Sequence, residues 1–263
     1  MMIAGYIAAV FIGISLGMIG SGGSILTVPV LVYLMGVHPL LATTSSLFIV
    51  GAASLTGGLR AYAKQQVDFR AVVAFGIPSI LSIFITRHFI LPALPDIFFQ
   101  IGKFQLTKGM FLMIFFAVLM LGASISMIRG RKENTGNTQE QKHIFPLIIL
   151  GLFIGLVTGL LGAGGGFLII PSLVLFLHLP MKTAVGTSLM IIAINSLSGF
   201  LFSLNQFVYD WTIILSFTAI SIAGIFIGST LADKVSGPTL KKSFGWFVLA
   251  MGFYIIAREI FFS

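Results

Sequence analysis

The sequence predicts an all-α polytopic membrane protein built as two inverted-topology repeats, each a glycine-broken hairpin plus three spans. Three observations predict it. Hydrophobic residues make up 57% of the 263-residue chain and charged residues 8%, and apolar runs of membrane-spanning length recur from end to end. Glycine clusters break two of those runs, GISLGMIGSGGS at 13–24 and GLVTGLLGAGGG at 155–166. The two stretches, and much of the chain beyond each of them, match at a constant offset of 142, as in Gly20 with Gly162, Ser46 with Ser188 and Asp68 with Asp210. Shared Gly, Ser and Asp positions are not explained by hydrophobicity, so the halves form an internal duplication.

Apolar segments fall near 3–19, 25–36, 41–59, 71–86 and 109–128, then near 144–161, 167–178, 183–202, 212–231 and 243–262. The first has no basic leader and belongs to the repeat, so it reads as part of the mature fold and not as a cleaved signal. The only long polar run, RGRKENTGNTQEQKH at 129–143, reads as a cytoplasmic linker between a first repeat (1–128) and a second (144–263). Residues 25–36 would give a helix of about 18 Å, too short for a hydrocarbon core of about 30 Å. A glycine break followed by a short helix therefore predicts a re-entrant hairpin, and two such hairpins, inverted, would meet near the midplane.

Charge decides the orientation. With a hairpin opening each half, eleven basic residues, among them Arg60, Lys64, Arg129 and Lys182, fall on the cytoplasmic side, against Arg87, Lys103, Lys108 and Arg258 outside. With one broken span instead of a hairpin the split is eight to seven. The positive-inside rule selects the inverted arrangement, with both termini outside. The net charge of +8 is thus carried by loops and helix ends, and nucleic acid is not expected as a partner; lipid bilayer is. There is no cysteine, which removes disulfides, thiol relays and thiolate metal sites. No metal constellation, paired carboxylates or catalytic triad appears, so neither cofactor nor enzyme activity is expected. No Asp, Glu, Lys or Arg falls clearly mid-membrane, which disfavours a proton relay or cation pump.

The glycine breaks are the first candidates for chemistry. Gly20, Ser21, Gly22, Gly23 and Ser24 precede one short helix, and Gly162, Ala163, Gly164, Gly165 and Gly166 the other. Helix N-termini offer unpaired N–H groups and attract anions, and glycine lets an anion approach the backbone. Irregular backbone at membrane depth is tolerated only where protein buries it or a wet cavity meets it. The hydroxyls of Thr44, Ser45 and Ser46 and of Thr187 and Ser188 lie at the start of the span after each hairpin and could complete a neutral shell for an oxyanion; helix packing is the alternative. Asn195 is a mid-span amide without a counterpart in the first half, where Ala53 aligns, and is either a ligand or an interhelical contact. Gly13-xxx-Gly17 and Gly155-xxx-Gly159 read as packing faces. Asp68 and Asp210 read as helix N-caps. His38 and His178 sit in turns after the short helices, with proton coupling left open.

The repeated G-xx-G-x-GGG-type break, the following Pro29 and Pro171, and the stretches Ala42 to Leu47 and Ala184 to Leu189 resemble the sulfite exporter TauE/SafE family over essentially the whole chain. The resemblance implies a bacterial or archaeal inner-membrane carrier of sulfur-containing anions, sulfite or organosulfonates, working in the export direction. The first break departs from the pattern at Ser21 and Ser24, which adds hydroxyls on one side. An anion channel, a carrier of another small solute, or a non-transport assembly or sensor protein are the alternatives.

Overall fold

The computed structural model describes residues 2–20, 23–101, 104–129, 144–162, 164–177, 179–231 and 237–261. Within them the chain is almost wholly helical. The first half comprises α1 (Met2–Ile19), α2 (Ser24–Tyr33), α3 (Pro39–Ala63), α4 (Phe69–Ile85), a single π-helical turn (Thr86–Ile90), a short α5 (Leu91–Ala93) and α6 (Lys108–Arg129). The second comprises α7 (Ile144–Leu161), α8 (Gly166–Leu177), α9 (Met181–Ser203), α10 (Trp211–Leu231) and α11 (Gly237–Phe261). Four stretches, Pro39–Ala63, Phe69–Ala93, Met181–Gln206 and Trp211–Leu231, are long and apolar enough to cross a membrane. Large apolar side chains recur on exposed faces at helical spacing, as in Phe69, Val73, Ile77 and Leu81 of α4, which is the face a bilayer would cover. A β-hairpin, Ile97–Ile101 with Phe104–Thr107, precedes α6 and is not foreseen by the sequence pattern.

Local chemistry sets the helix ends. Pro39 starts α3 at a position whose N–H needs no partner. The Asp68 carboxylate accepts from the N–H of Arg70 (2.9 Å) and Ala71 (3.1 Å). Asp210 does the same for Thr212 (3.0 Å) and Ile213 (3.2 Å), so both are the N-caps the sequence suggests. α1 ends at Gly20 (φ +82°) and α7 at Gly162 (φ +68°). In each, the glycine N–H closes the last turn, onto Leu16 O and Thr158 O respectively. The left-handed conformation there favours glycine.

After each break the chain folds back on itself. A Cβ on Gly23 would strike Ile12 O and Leu16 of α1, and one on Gly5 would lie 2.7 Å from Met35 Cγ, so α2 returns alongside α1. A Cβ on Gly165 would strike Ile154 and Thr158 of α7 in the equivalent way. α2, at 10 residues, is about 15 Å long and α8, at 12, about 18 Å. These are the short hairpin helices that the sequence predicts.

The helix pairing maps onto itself when the halves are exchanged. α1 packs on α10 and α7 on α4; α3 packs on α9 and α6 on α11; α3 also meets α10, and α4 meets α9. The Gly13 and Gly17 face of α1 lies against Ser221, Gly224, Ile225 and Ser229 of α10, and the Gly151, Gly155 and Gly159 face of α7 against Phe75, Ser79 and Ser82 of α4 and Thr86 of the π-helical turn. Small residues let these backbones touch, which is the packing role expected of those glycines. α3 and α9, which correspond in the two halves, run in opposite senses: Leu47 meets Gly199, Gly51 meets Leu197, and Gly58 meets Met190. α4 and α9 run in the same sense, joined by Asn195 to Ser79 and Gly199 to Ile83.

Candidate functional site

The glycine breaks seat on the central α3–α9 pair, each against the helix of the other half. A Cβ on Gly162 would collide with Thr43 O, and the Ser46 hydroxyl donates to both Gly162 O (2.5 Å) and Thr43 O (3.0 Å). A Cβ on Gly20 would lie 2.6 Å from Val185 Cγ1 and 3.2 Å from Ser188 Oγ, while Ser188 donates to Val185 O (2.8 Å). The partners of Gly20 are the 142-offset equivalents of those of Gly162. Because α3 and α9 are antiparallel, these two contacts lie at opposite ends of the pair. Ser46 and Gly58, which packs on Met190, are separated by about 18 Å of helix.

The predicted residues therefore divide into two clusters and a centre. Gly162, Ser46 and Thr44 come together at the start of α3, in a region where Ser45 is also buried. Gly20 and Ser188 come together at the start of α9, where Thr187 Oγ1 accepts the Asp68 N–H (2.9 Å). Gly164 (φ +67°) reaches the middle, where a Cβ would lie about 3 Å from Val50 Cγ1 of α3 and from Ile192 Cγ2 and Ser196 Oγ of α9. Gly23, Ser24, Gly165 and Gly166 are buried at the heads of α2 and α8. Ser21, Gly22 and Ala163 of the predicted shell, and His178, lie outside the described residues. The amides of Gly20 and Gly162 are spent on closing α1 and α7 and are not free for a ligand.

Several hydroxyls at this centre are buried with no hydrogen-bond partner: Ser54, Ser196 and Thr158, together with the Asn195 carbonyl oxygen. Asn195 spends its amide N–H on Ser79 Oγ (2.7 Å), an interhelical contact, and keeps Oδ1 free. Ser54 and Ser196 are 142-offset equivalents, and Ser196 faces Gly164. A buried, unsatisfied polar atom costs about 1–3 kcal/mol, so a recurring pair needs an explanation. Sequence reasoning matches these serines to each other but assigns them no role; their duplication in mid-span is the signal.

One expectation is overturned. Arg87, read as an outer topology marker, lies inside the candidate span Phe69–Ala93 and is 0% exposed. It sits in the π-helical turn after α4, a local form frequent at functional sites. Its Nη1 donates to Thr44 Oγ1 (2.8 Å), whereas Nε and Nη2 have no partner. Its neighbour Tyr209 lies in the turn between α9 and α10, with burial pushing the phenol up and the Arg87 charge pulling it down. The Tyr209 hydroxyl donates to Ser203 O (2.7 Å), and its ring joins Phe48, Phe200 and Trp211 in an aromatic cluster at that end. The sequence hides Arg87 because hydropathy alone ends the apolar run at residue 86; the apolar residues after His88 continue the helix.

Among the described residues no group of His, Asp and Glu could hold a metal ion. At the α3-start end, His38, Asp96, Lys108 and Glu259 line an open cavity of about 340 Å³. There Glu259 accepts from Tyr33 (2.7 Å) and Lys108 donates to Leu94 O (3.1 Å).

Helices that double back at glycine around a buried polar centre make this a multi-pass membrane protein of the broken-helix kind. The model of one family, "Sulfite exporter TauE/SafE", matches residues 6–255. The chain belongs to that family. A probable membrane transporter protein of Xylella fastidiosa (strain 9a5c) is 30% identical over 94% of this chain and 92% of its own length. The probable membrane transporter protein YunE of Bacillus subtilis is 24% identical over 97% and 99%, and one from Methanocaldococcus jannaschii 24% over 94% of each. No solved structure matches the chain.

Proposed function

We propose that the protein is a secondary carrier exporting a small sulfur-containing oxyanion, sulfite or an organosulfonate, across the inner membrane. The observation that carries this reading is the exchange-equivalent seating of the two glycine breaks, Gly20 on Ser188 and Gly162 on Ser46, around a centre where Ser54 and Ser196 keep free hydroxyls. Such donors recognise oxygen atoms without a fixed cation at the centre, and suit an anion that must leave again. The family name supports sulfite in particular.

The reading includes two inverted repeats, 1–128 and 144–263, joined by a cytoplasmic linker at 129–143, with both termini outside. It is supported by the opposite running senses of α3 and α9 and by the distribution of basic residues. Alternating access would come from each hairpin moving against the α3–α9 pair. Export needs no coupling ion, since an inside-negative potential favours anion exit by about 2.3 kcal/mol per charge per 100 mV.

The test is sulfite and methanesulfonate flux from proteoliposomes holding the full chain. Saturable efflux with counterflow, weakened in Ser196→Ala, is the expected result. Ohmic conductance without counterflow would instead indicate a channel, and absence of both flux and binding would leave the glycines as packing elements alone.

A further inference from the structure

We infer that Arg87 is an oxyanion-binding residue, whose free Nε–Nη2 edge grips a sulfonate, sulfite or carboxylate head group beside the Gly162 break. The inference rests on the transport reading above and deepens it, because it supplies the charge that the neutral shell lacks.

The geometry is specific. A guanidinium has two edges able to bind an oxyanion with two parallel N–H···O bonds, and one of them is formed by Nε–H and the nearer Nη2–H. In Arg87 the remaining nitrogen, Nη1, is the one tied down, by Thr44 Oγ1 at 2.8 Å. Thr44 is itself oriented by donating to Leu40 O (3.3 Å), so its lone pairs are available to Nη1. The edge left over is the forked one, and neither of its nitrogens has a partner. The side chain is completely buried.

The place is equally specific. Thr44 lies between Thr43 and Ser46, the two residues that seat Gly162. On the other side, Thr86 touches Gly159 in the last turn before the same break. Tyr209, the neighbour that feels the Arg87 charge, donates its hydroxyl to Ser203 O (2.7 Å), which brings Ser203 to the same end of the pair. The Ser203 hydroxyl is buried and likewise unpartnered. A fixed cation, a spare hydroxyl and a glycine break therefore converge at one end of the α3–α9 pair.

Energetics require an occupant. A buried charge without a counter-ion is among the costliest features a fold can carry, and intramembrane ionisable groups generally mark substrate pathways. No carboxylate among the described residues bonds to Arg87. A bound oxyanion would neutralise the charge and fill both vacant donors; chloride, a single atom, could not use the fork as well. The 142-offset equivalent of Arg87 is Ser229, so the second half carries no counterpart of this enclosed guanidinium.

The test uses the full chain in detergent, with binding of methanesulfonate, sulfite and chloride followed by thermal shift and titration. Wild type should bind both oxyanions saturably and prefer them to chloride at equal ionic strength. Arg87→Gln should lower oxyanion affinity about thirtyfold or more, the effect of truncating one partner of a buried charge pair, while the ligand-free protein melts no lower than wild type. Arg87→Lys keeps the charge without the fork, and should bind about tenfold more weakly with little preference over chloride. Should Arg87→Gln fail to fold, the Lys variant decides. Wild-type affinity and selectivity in either variant overturn the inference. If Ser196→Ala weakens binding while the Arg87 variants bind normally, the transport reading stands and the Arg87 site falls; if wild type binds neither oxyanion, both fall.

Discussion

Replacing Gly162 with alanine isolates the close seating of the second break. At φ +68° an L-residue costs about 1–2 kcal/mol. The new methyl would also fall on Thr43 O, a backbone atom of another helix that cannot swing aside. Overpacking of this kind typically costs about 1–3 kcal/mol, and displacement of the break weakens the Ser46 bond to Gly162 O, worth about 1 kcal/mol. The total is about 3–6 kcal/mol. Gly36→Ala is the control: its φ of +72° is equally left-handed, but nothing lies within 4 Å of the added methyl, so only the first cost applies. Gly20→Ala should fall between them, because its methyl meets a movable Val185 side chain at 2.6 Å. Thermal unfolding of the three variants in one detergent gives the comparison. The order Gly36, Gly20, Gly162 in increasing damage is expected; equal losses at Gly36 and Gly162 would show that the break is not held against α3 and would refute the reasoning.

Three further outcomes are expected from the same geometry. Ser54→Ala and Ser196→Ala each remove a buried hydroxyl that nothing satisfies, so melting temperature should hold or rise while sulfite affinity falls about tenfold, the worth of one neutral hydrogen bond; loss of stability with unchanged binding would make them packing residues. Asp68→Ala and Asp210→Ala should each cost about 1 kcal/mol by unfolding, to a similar extent, with flux retained, because both carboxylates only cap helices. Gly224→Leu should separate α1 from α10, since even a single methyl there would strike Val10 O, and purified yield and monodispersity should drop sharply.

The frame of the protein is legible in its sequence because the frame is written in glycine, proline and apolar length. Gly20 and Gly162 announce breaks that only glycine tolerates, and the brevity of residues 25–36 announces a hairpin. Asp68 and Asp210 are recognisable as caps because a carboxylate followed by an apolar run has one ordinary use. The site is less legible. The equivalence of Ser46 and Ser188 is visible, but their attachment to the opposite half's break, at ends about 18 Å apart, depends on α3 and α9 crossing between halves, which no local pattern encodes. Arg87 escapes sequence reading for a definite reason: at the edge of an apolar run a snorkelling arginine and an enclosed one look the same, and only tertiary packing tells them apart.

The distribution of guanidinium groups follows from that same crossing. Ser229, which stands where symmetry would place a second Arg87, accepts a hydrogen bond from Arg60 Nη1 at 2.5 Å, and Arg60 belongs to the far end of α3. Thr44 and Arg60 are separated by about 24 Å along that helix. One guanidinium, enclosed, therefore holds the α3-start end and another, half-buried, the α3-finish end, and they reach those places from different helices. The glycine breaks and their seats match at the 142 offset, whereas these two arginines do not. On the proposed oxyanion reading, these guanidinium groups would attract the ion at either end of the pair, and the neutral hydroxyls between them would hold it weakly enough to release. If that reading holds, a fixed cation in mid-path would deepen binding at the cost of release, and central hydroxyls such as Ser54 and Ser196 would favour turnover.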